Sequence, residues 1–213
     1  MSLTLYFLRH GQTPFSRDDV LSGGAVDPEL TAEGRQMAEE FALAYRGVPF
    51  SAVYSSPLRR TITTGRPLCE ALGLTPELRD GLKELAYGAW EGLTRQEAIQ
   101  KFHDDYLRWV ADPGWNAPTG GETAVAAAQR AMRVIEEIQG RFQDGHVLVV
   151  SHKATIRIIL CALLGIDVGR FRYRLGCPVG SVSVVEFARQ GPLLHALADR
   201  THLQEALRNL PGA

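Results

Sequence analysis

The 213-residue chain is short of cysteine, of long apolar runs and of any surplus of charge. Its three cysteines, Cys69, Cys161 and Cys177, form no CxxC pair and are odd in number, so neither a disulfide framework nor a zinc site is expected. Each sits among apolar or small neighbours, as a buried, inert thiol would. No apolar stretch approaches the roughly 20 residues needed to span a bilayer. The N-terminal stretch has no basic lead-in and no long apolar core, so no signal peptide is expected and the expected address is cytoplasmic. With 23 basic against 24 acidic residues, no charge-driven attraction to nucleic acid or membrane is implied. A local basic pocket stays compatible with that balance.

What is present reads as one α/β domain over residues 1–213. Leu3 to Leu8 is nearly continuously apolar, as in a strand buried on both faces, and it ends at Arg9-His10-Gly11. A loop follows to about Leu30. A helix capped by Thr31 is expected to about Arg46, with Gly47 beyond. Ala52 to Ser55 predicts a second strand. Ser56 as cap and Pro57 at the first position predict a helix to about Leu72. Residues 75–93 read as irregular, 94–112 as short helices carrying Tyr106 and Trp109, and 113–121 as a loop. Residues 75–121 are thus expected to form a lid-like, pocket-covering segment. The spacing of Val125, Ala128, Met132, Ile135, Ile138 and Phe142 predicts a long amphipathic helix. His146 to Ser151 predicts a buried strand ending at His152, with a helix from about Ala154 to Leu164 stopped by Gly165. Two last strands, 181–187 and 194–198, fit an antiparallel pair or sheet edge.

Strand-loop-helix units in this order predict an open sheet, whose ligands bind beyond the carboxyl ends of its strands. Three strands run into polar residues: Arg9 and His10, then Arg59 and Arg60, then His152. Two imidazoles and a guanidinium pair at one edge make an anion site suited to a phosphoryl group. A neutral histidine held by its far nitrogen can act as nucleophile, and arginines can neutralise the charge that Mg²⁺ neutralises elsewhere. Glu84, in the irregular stretch, is placed to protonate a leaving oxygen and then activate water. Trp90 is expected to pack beneath the Glu84 loop, and Trp109 and Trp115 either roof the pocket or fill the core. His103, His146, His195 and His202 lack neighbouring ligands at useful spacing and are expected to be solvated or satisfied within the core. No cofactor and no metal are expected.

Several blocks together resemble the histidine phosphatase superfamily in its phosphoglycerate-mutase-like branch. These are Leu8-Arg9-His10-Gly11-Gln12-Thr13, Ser55-Ser56-Pro57-Leu58-Arg59-Arg60-Thr61-Ile62-Thr63-Thr64, Glu84 with Gly88-Ala89-Trp90-Glu91-Gly92, Gly120-Gly121-Glu122-Thr123, Val150-Ser151-His152 and Thr201-His202-Leu203. The resemblance implies a three-layer α/β/α sandwich with a mostly parallel sheet. It implies a phosphohistidine on His10, phosphate held by Arg9, Arg60 and His152, and Glu84 as proton donor. Three positions depart from the family pattern. Ser16 stands where Asn is common, Gly23-Gly24 where Thr-Gly or Gln-Gly is usual, and Lys153 where Gly follows the histidine. Ser16, Gly23 and Lys153 are therefore candidate phosphate or substrate contacts. Family mutases carry a Glu-Arg-x-Tyr-Gly segment after the glutamate, and Thr94 to Pro118 has none. The expected function is a metal-independent, histidine acid-type phosphomonoesterase acting on a small phosphomonoester. A phosphoglycerate mutase and a non-catalytic module that binds phosphorylated ligands are the alternatives, and a homodimer is compatible with the sequence.

Overall fold

A computed structural model describes residues 2–212. The first strand, β1 (Leu3–Arg9), is followed by a single-turn helix, α1 (Pro14–Arg17), inside the expected loop. Helix α2 (Ala32–Tyr45) starts at Thr31, whose hydroxyl accepts from the Gly34 amide at 3.0 Å, and β2 spans Phe50–Ser55. Helix α3 (Arg59–Leu72) begins later than Ser56 and Pro57 suggest, with Leu58 at the cap in an extended conformation. The Ser56 hydroxyl instead lies 2.9 Å from His152 Nε2, and that pairing draws it away from a capping role. Gly73, at φ +66°, closes the helix in the left-handed conformation that glycine adopts without strain.

The stretch read as irregular holds a two-residue strand, β3 (Glu77–Leu78), and two short 3₁₀ turns. Helices α4 (Arg95–Lys101) and α5 (His103–Ala111) follow, then the long α6 (Ala124–Arg141) and β4 (Gly145–Ser151). Helix α7 (Lys153–Leu163) takes His152 as its cap residue. A 3₁₀ turn and α8 (Phe171–Arg174), both unforeseen, lead to the antiparallel pair β5 (Val182–Ala188) and β6 (Gly191–Asp199). A last turn of helix, α9, spans Glu205–Arg208.

The strands form one six-stranded sheet in the order β3-β2-β4-β1-β5-β6. The first four are mutually parallel, and the last two are antiparallel at one edge. Alternation along each strand sends side chains to two cores. Leu5, Phe7, Tyr54, Val147 and Val149 join the α6 and α7 side. Leu8, Val53, Leu148 and Val150 join the α2 and α3 side with Phe41 and Leu68. Burial on both faces explains why β1 and β4 read as continuous apolar runs. Trp90 is fully buried as expected, and the three cysteines are free and buried. Trp109 and Trp115 part company: the first is buried and the second is 76% exposed. Among the described residues no helix is long and apolar enough to cross a membrane.

Candidate active site

Strand register builds the floor of the site. Arg9 of β1 pairs with Ser151 of β4, so His10 and His152 are the next residue on adjacent parallel strands. Their rings meet edge to face at 5.2 Å. Ser55 of β2 pairs with Val150, which sets Ser56 opposite Ser151, one residue short of His152, whose Nε2 lies 2.9 Å from the Ser56 hydroxyl. Three carboxyl-terminal strand ends thus deliver His10, Ser56 and His152 to one point.

The hydrogen bonds fix which nitrogen of each ring carries a proton. His10 Nδ1 lies 2.8 Å from the Gly11 carbonyl, which only accepts. Nδ1 is therefore the donor, and the lone pair of the neutral ring sits on Nε2. His152 Nδ1 accepts from Arg60 Nε at 3.1 Å, so its Nε2 carries the proton and donates to Ser56 Oγ. Burial, followed by the charges of Arg60 and then Arg9, holds the His10 pKa well below its ordinary value. Burial and then Arg60 do the same for His152. Both rings are neutral in the physiological range.

Arg60 is fully buried behind the histidines. Besides His152, it donates to the Gly23 carbonyl (2.9 Å), the Val26 carbonyl (3.2 Å) and Asp27 Oδ1 (3.1 Å). A guanidinium has five N–H groups, so one remains on Nη2. Glu91 pins the backbone that meets Arg60, accepting from the Ala25 and Val26 amides at 2.9 and 3.0 Å. Thr64, one turn after Arg60, donates to the Arg60 carbonyl and accepts from the Gly11 amide at 3.0 Å. A Cβ at Gly11 would meet the Gly34 carbonyl oxygen at 2.3 Å, so only glycine lets the loop after His10 rest on α2.

Arg9 is buried, and its Nη1 donates to the carbonyls of Cys177 (2.6 Å) and Gly212 (2.8 Å). Its buried Nε has no partner. A buried donor without an acceptor is costly, and an oxygen of a bound anion would satisfy it. Glu84 lies at the amino end of α7. Its Oε1 accepts from the amides of Leu85 (2.8 Å) and Thr155 (3.1 Å), and its Oε2 accepts from that of Ala154 (3.2 Å). Arg130 of α6 fastens this loop, donating to the carbonyls of Gly81 (2.7 Å), Lys83 (2.8 Å) and Glu84 (3.2 Å) while paired with both oxygens of Glu122.

Above the floor opens a cavity of about 500 Å³. Arg9, His10, Glu84, Ser16 and Lys153 line it, whereas Arg60, His152 and Gly23 do not. Ser16 Oγ accepts from the Thr13 amide at 2.9 Å and lies 3.0 Å from the Thr13 carbonyl, so its hydroxyl is engaged in closing α1. Gly23 serves Arg60 through its carbonyl; a Cβ there would meet Glu91 Oε1 at 2.4 Å. Burial, then Arg9 and Arg157, lowers the Lys153 pKa to about 8. Arg59 points away, with 73% of its side chain exposed. His103 and His195 are exposed and bonded to Asp104 and Glu186, while the buried His146 Nδ1 has no partner, against the expectation of a satisfied ring.

Several further residues line the wall without a motif that announces them: Tyr87, Arg95, Arg157, Arg172 and Arg200. Arg157 carries the one available signal, lying four residues after Lys153 and so on the same helix face.

A buried pair of neutral imidazoles, backed by guanidinium groups at the carboxyl edge of a parallel sheet, marks an α/β protein with an anion-suited site where such sheets bind ligands. The chain belongs to the histidine phosphatase superfamily (branch 1), whose family model matches residues 5–200. It is 32% identical over 182 residues to phosphoserine phosphatase 1 of Hydrogenobacter thermophilus, covering 85% of this chain and 86% of that one. It is 30% identical over 178 residues to the adenosylcobalamin/alpha-ribazole phosphatase of Escherichia coli, covering 82% and 87%. The solved structure of Bacillus stearothermophilus YhfR superposes with a TM-score of 0.88 at 25% identity, over 95% of this chain and 100% of that one.

Proposed function

We propose that the chain hydrolyses phosphate monoesters through a covalent phosphohistidine on His10, without a metal ion. His10 Nε2 attacks phosphorus in line, the ester P–O bond breaks, and Glu84 gives its proton to the departing alkoxide oxygen. A water molecule then gives its proton to Glu84 and attacks phosphorus. The P–N bond breaks, inorganic phosphate leaves, and both residues return to their starting forms. Arg9 Nε meets the charge that develops on the phosphoryl oxygens, while Arg60, outside the cavity lining, acts through His152. His152 holds Arg60 Nε and packs its ring against His10. The proton passes through Glu84 Oε2, the carboxyl oxygen with a single amide partner.

One observation carries the reading: the Gly11 carbonyl fixes the proton of His10 on Nδ1, so the lone pair of Nε2 is available. Relatives that are themselves phosphatases add support. The test is hydrolysis of p-nitrophenyl phosphate in the presence of a chelator. The expected result is undiminished turnover with chelator and none in His10→Ala. Full activity in that variant would end the assignment.

A further inference from the structure

The cavity wall carries more positive charge than one phosphoryl group requires. Among the described residues, six basic side chains line it against two carboxylates, Asp19 and Glu84. Asp19 is bound to Arg95 at 2.9 Å, and Glu84 is bound to the amides at the start of α7. Among the described residues neither Arg157 nor Arg172 forms an ion pair with a carboxylate.

Both guanidinium groups are nevertheless fixed in place. Arg157 is 8% exposed, donates from Nε to the Phe171 carbonyl at 3.1 Å and from Nη2 to the Arg172 carbonyl, and leaves Nη1 uncommitted. The Arg172 guanidinium lies over the Trp109 ring at 3.9 Å, and its buried Nη1 has no partner. A buried cation without a counter-charge is costly, and so is an unpaired buried N–H. Arg9 Nε is likewise buried without a partner. The cavity therefore offers two separate sets of donors. One lies at the nucleophile, and the other lies against Trp109 and Phe171.

We propose that Arg157 and Arg172, with Lys153 one turn before Arg157 on α7, bind a second anionic group of the substrate beyond the phosphoryl that is transferred. The inference rests on the phosphatase reading and narrows it. The substrate class is a phosphomonoester whose leaving group ends in a carboxylate or a second phosphate. Trp109, Tyr87 and Phe171 pack its apolar body between the two charges.

Three para-substituted phenyl phosphates test this, bearing a carboxylate, a second phosphate or a neutral carboxamide of the carboxylate's shape. Loss of a charge-assisted contact predicts that kcat/KM for at least one charged ester exceeds that for the carboxamide by about tenfold or more. In Arg157→Met and Arg172→Met the ratio falls toward one through a rise in KM for the charged ester. The lysine variants, Arg157→Lys and Arg172→Lys, keep part of it. Preference for the carboxylate or for the bisphosphate identifies the anion, and either supports the subsite. A ratio near one in the wild-type protein overturns it whether or not the variants fold, as does an unchanged ratio in folded variants. If none of the three esters is hydrolysed, the phosphatase reading fails, and the subsite is judged by calorimetric binding of the same compounds. Tighter binding of a charged ester than of the carboxamide then supports it, and equal dissociation constants overturn it.

Discussion

The floor and the wall of the cavity are built in opposite ways. The floor, His10, Ser56, Arg60 and His152, comes from strand ends and the helix start after one of them. Three of its four residues are fully buried, and its donors and acceptors interlock. The wall, Lys153, Arg157, Arg172 and Trp109, comes from the faces of α5, α7 and α8, and its cations line the cavity. The floor is rigid because sheet register allows no adjustment: a one-residue slip of β1 against β4 would turn every side chain to the other face. The wall has no such constraint. On the proposed reading the floor serves the phosphoryl group and the wall serves the leaving group.

Substitutions can break that division. The largest effect is expected from Glu84→Gln, which keeps shape but supplies no exchangeable acid. kcat should fall about 10² to 10⁴-fold for every ester, measured by steady-state kinetics on aryl phosphates. A loss confined to esters with poor leaving groups would limit Glu84 to the first step.

Arg60→Met comes next. It strands the Gly23 and Val26 carbonyls and His152 Nδ1 and removes the ion-pair partner of the partly exposed Asp27, which keeps the Arg59 amide. A destabilisation of about 3 kcal/mol is expected, a fall in Tm of roughly 6 to 12 °C. An unchanged Tm by calorimetry would show that the floor is not the interlocked unit described. Ser56→Ala removes one acceptor from the buried His152 Nε2 and should cost about 1 to 2 kcal/mol in urea unfolding.

The response to pH follows from the two lowered histidines. Their folded pKa values lie below the unfolded value of about 6.5, so the unfolded chain binds more protons as the solution is acidified. The stability they contribute is complete above about 6.5 and is lost as pH falls below it. The urea midpoint should be lower at about pH 5 than at about pH 7.5. kcat/KM should keep its plateau below the pH where an ordinary histidine becomes protonated, because Nε2 of His10 must be unprotonated to attack. An acid limb centred on the unperturbed value would contradict the burial of His10. The smallest effect belongs to Trp115→Ala, since this ring is exposed and outside the cavity wall; stability should change by no more than about 0.5 kcal/mol.

The same division explains what the sequence made legible. Buried parallel strands leave apolar runs that stop abruptly, so Arg9, His10 and His152 stood out at their ends. The long α6 and the Thr31 cap were likewise readable from local pattern. Ser56 misled, because its hydroxyl suits a cap locally but is claimed by a histidine 96 residues away. Arg157 and Arg172 carry no motif, since on a helix face an arginine bound for a cavity looks the same as one bound for solvent. The clamp of Arg130 and Glu122 on the Glu84 loop depends on tertiary placement in the same way.

The central claim is that Nε2 of His10 accepts the phosphoryl group. Acid-free quenching of the chain during turnover of a phosphate ester, followed by phosphorus NMR and peptide mass spectrometry, tests it most directly. The account predicts an alkali-stable phosphoramidate on His10, joined through Nε2. Phosphate on Nδ1 of His10, on another residue, or on none while turnover proceeds would contradict it.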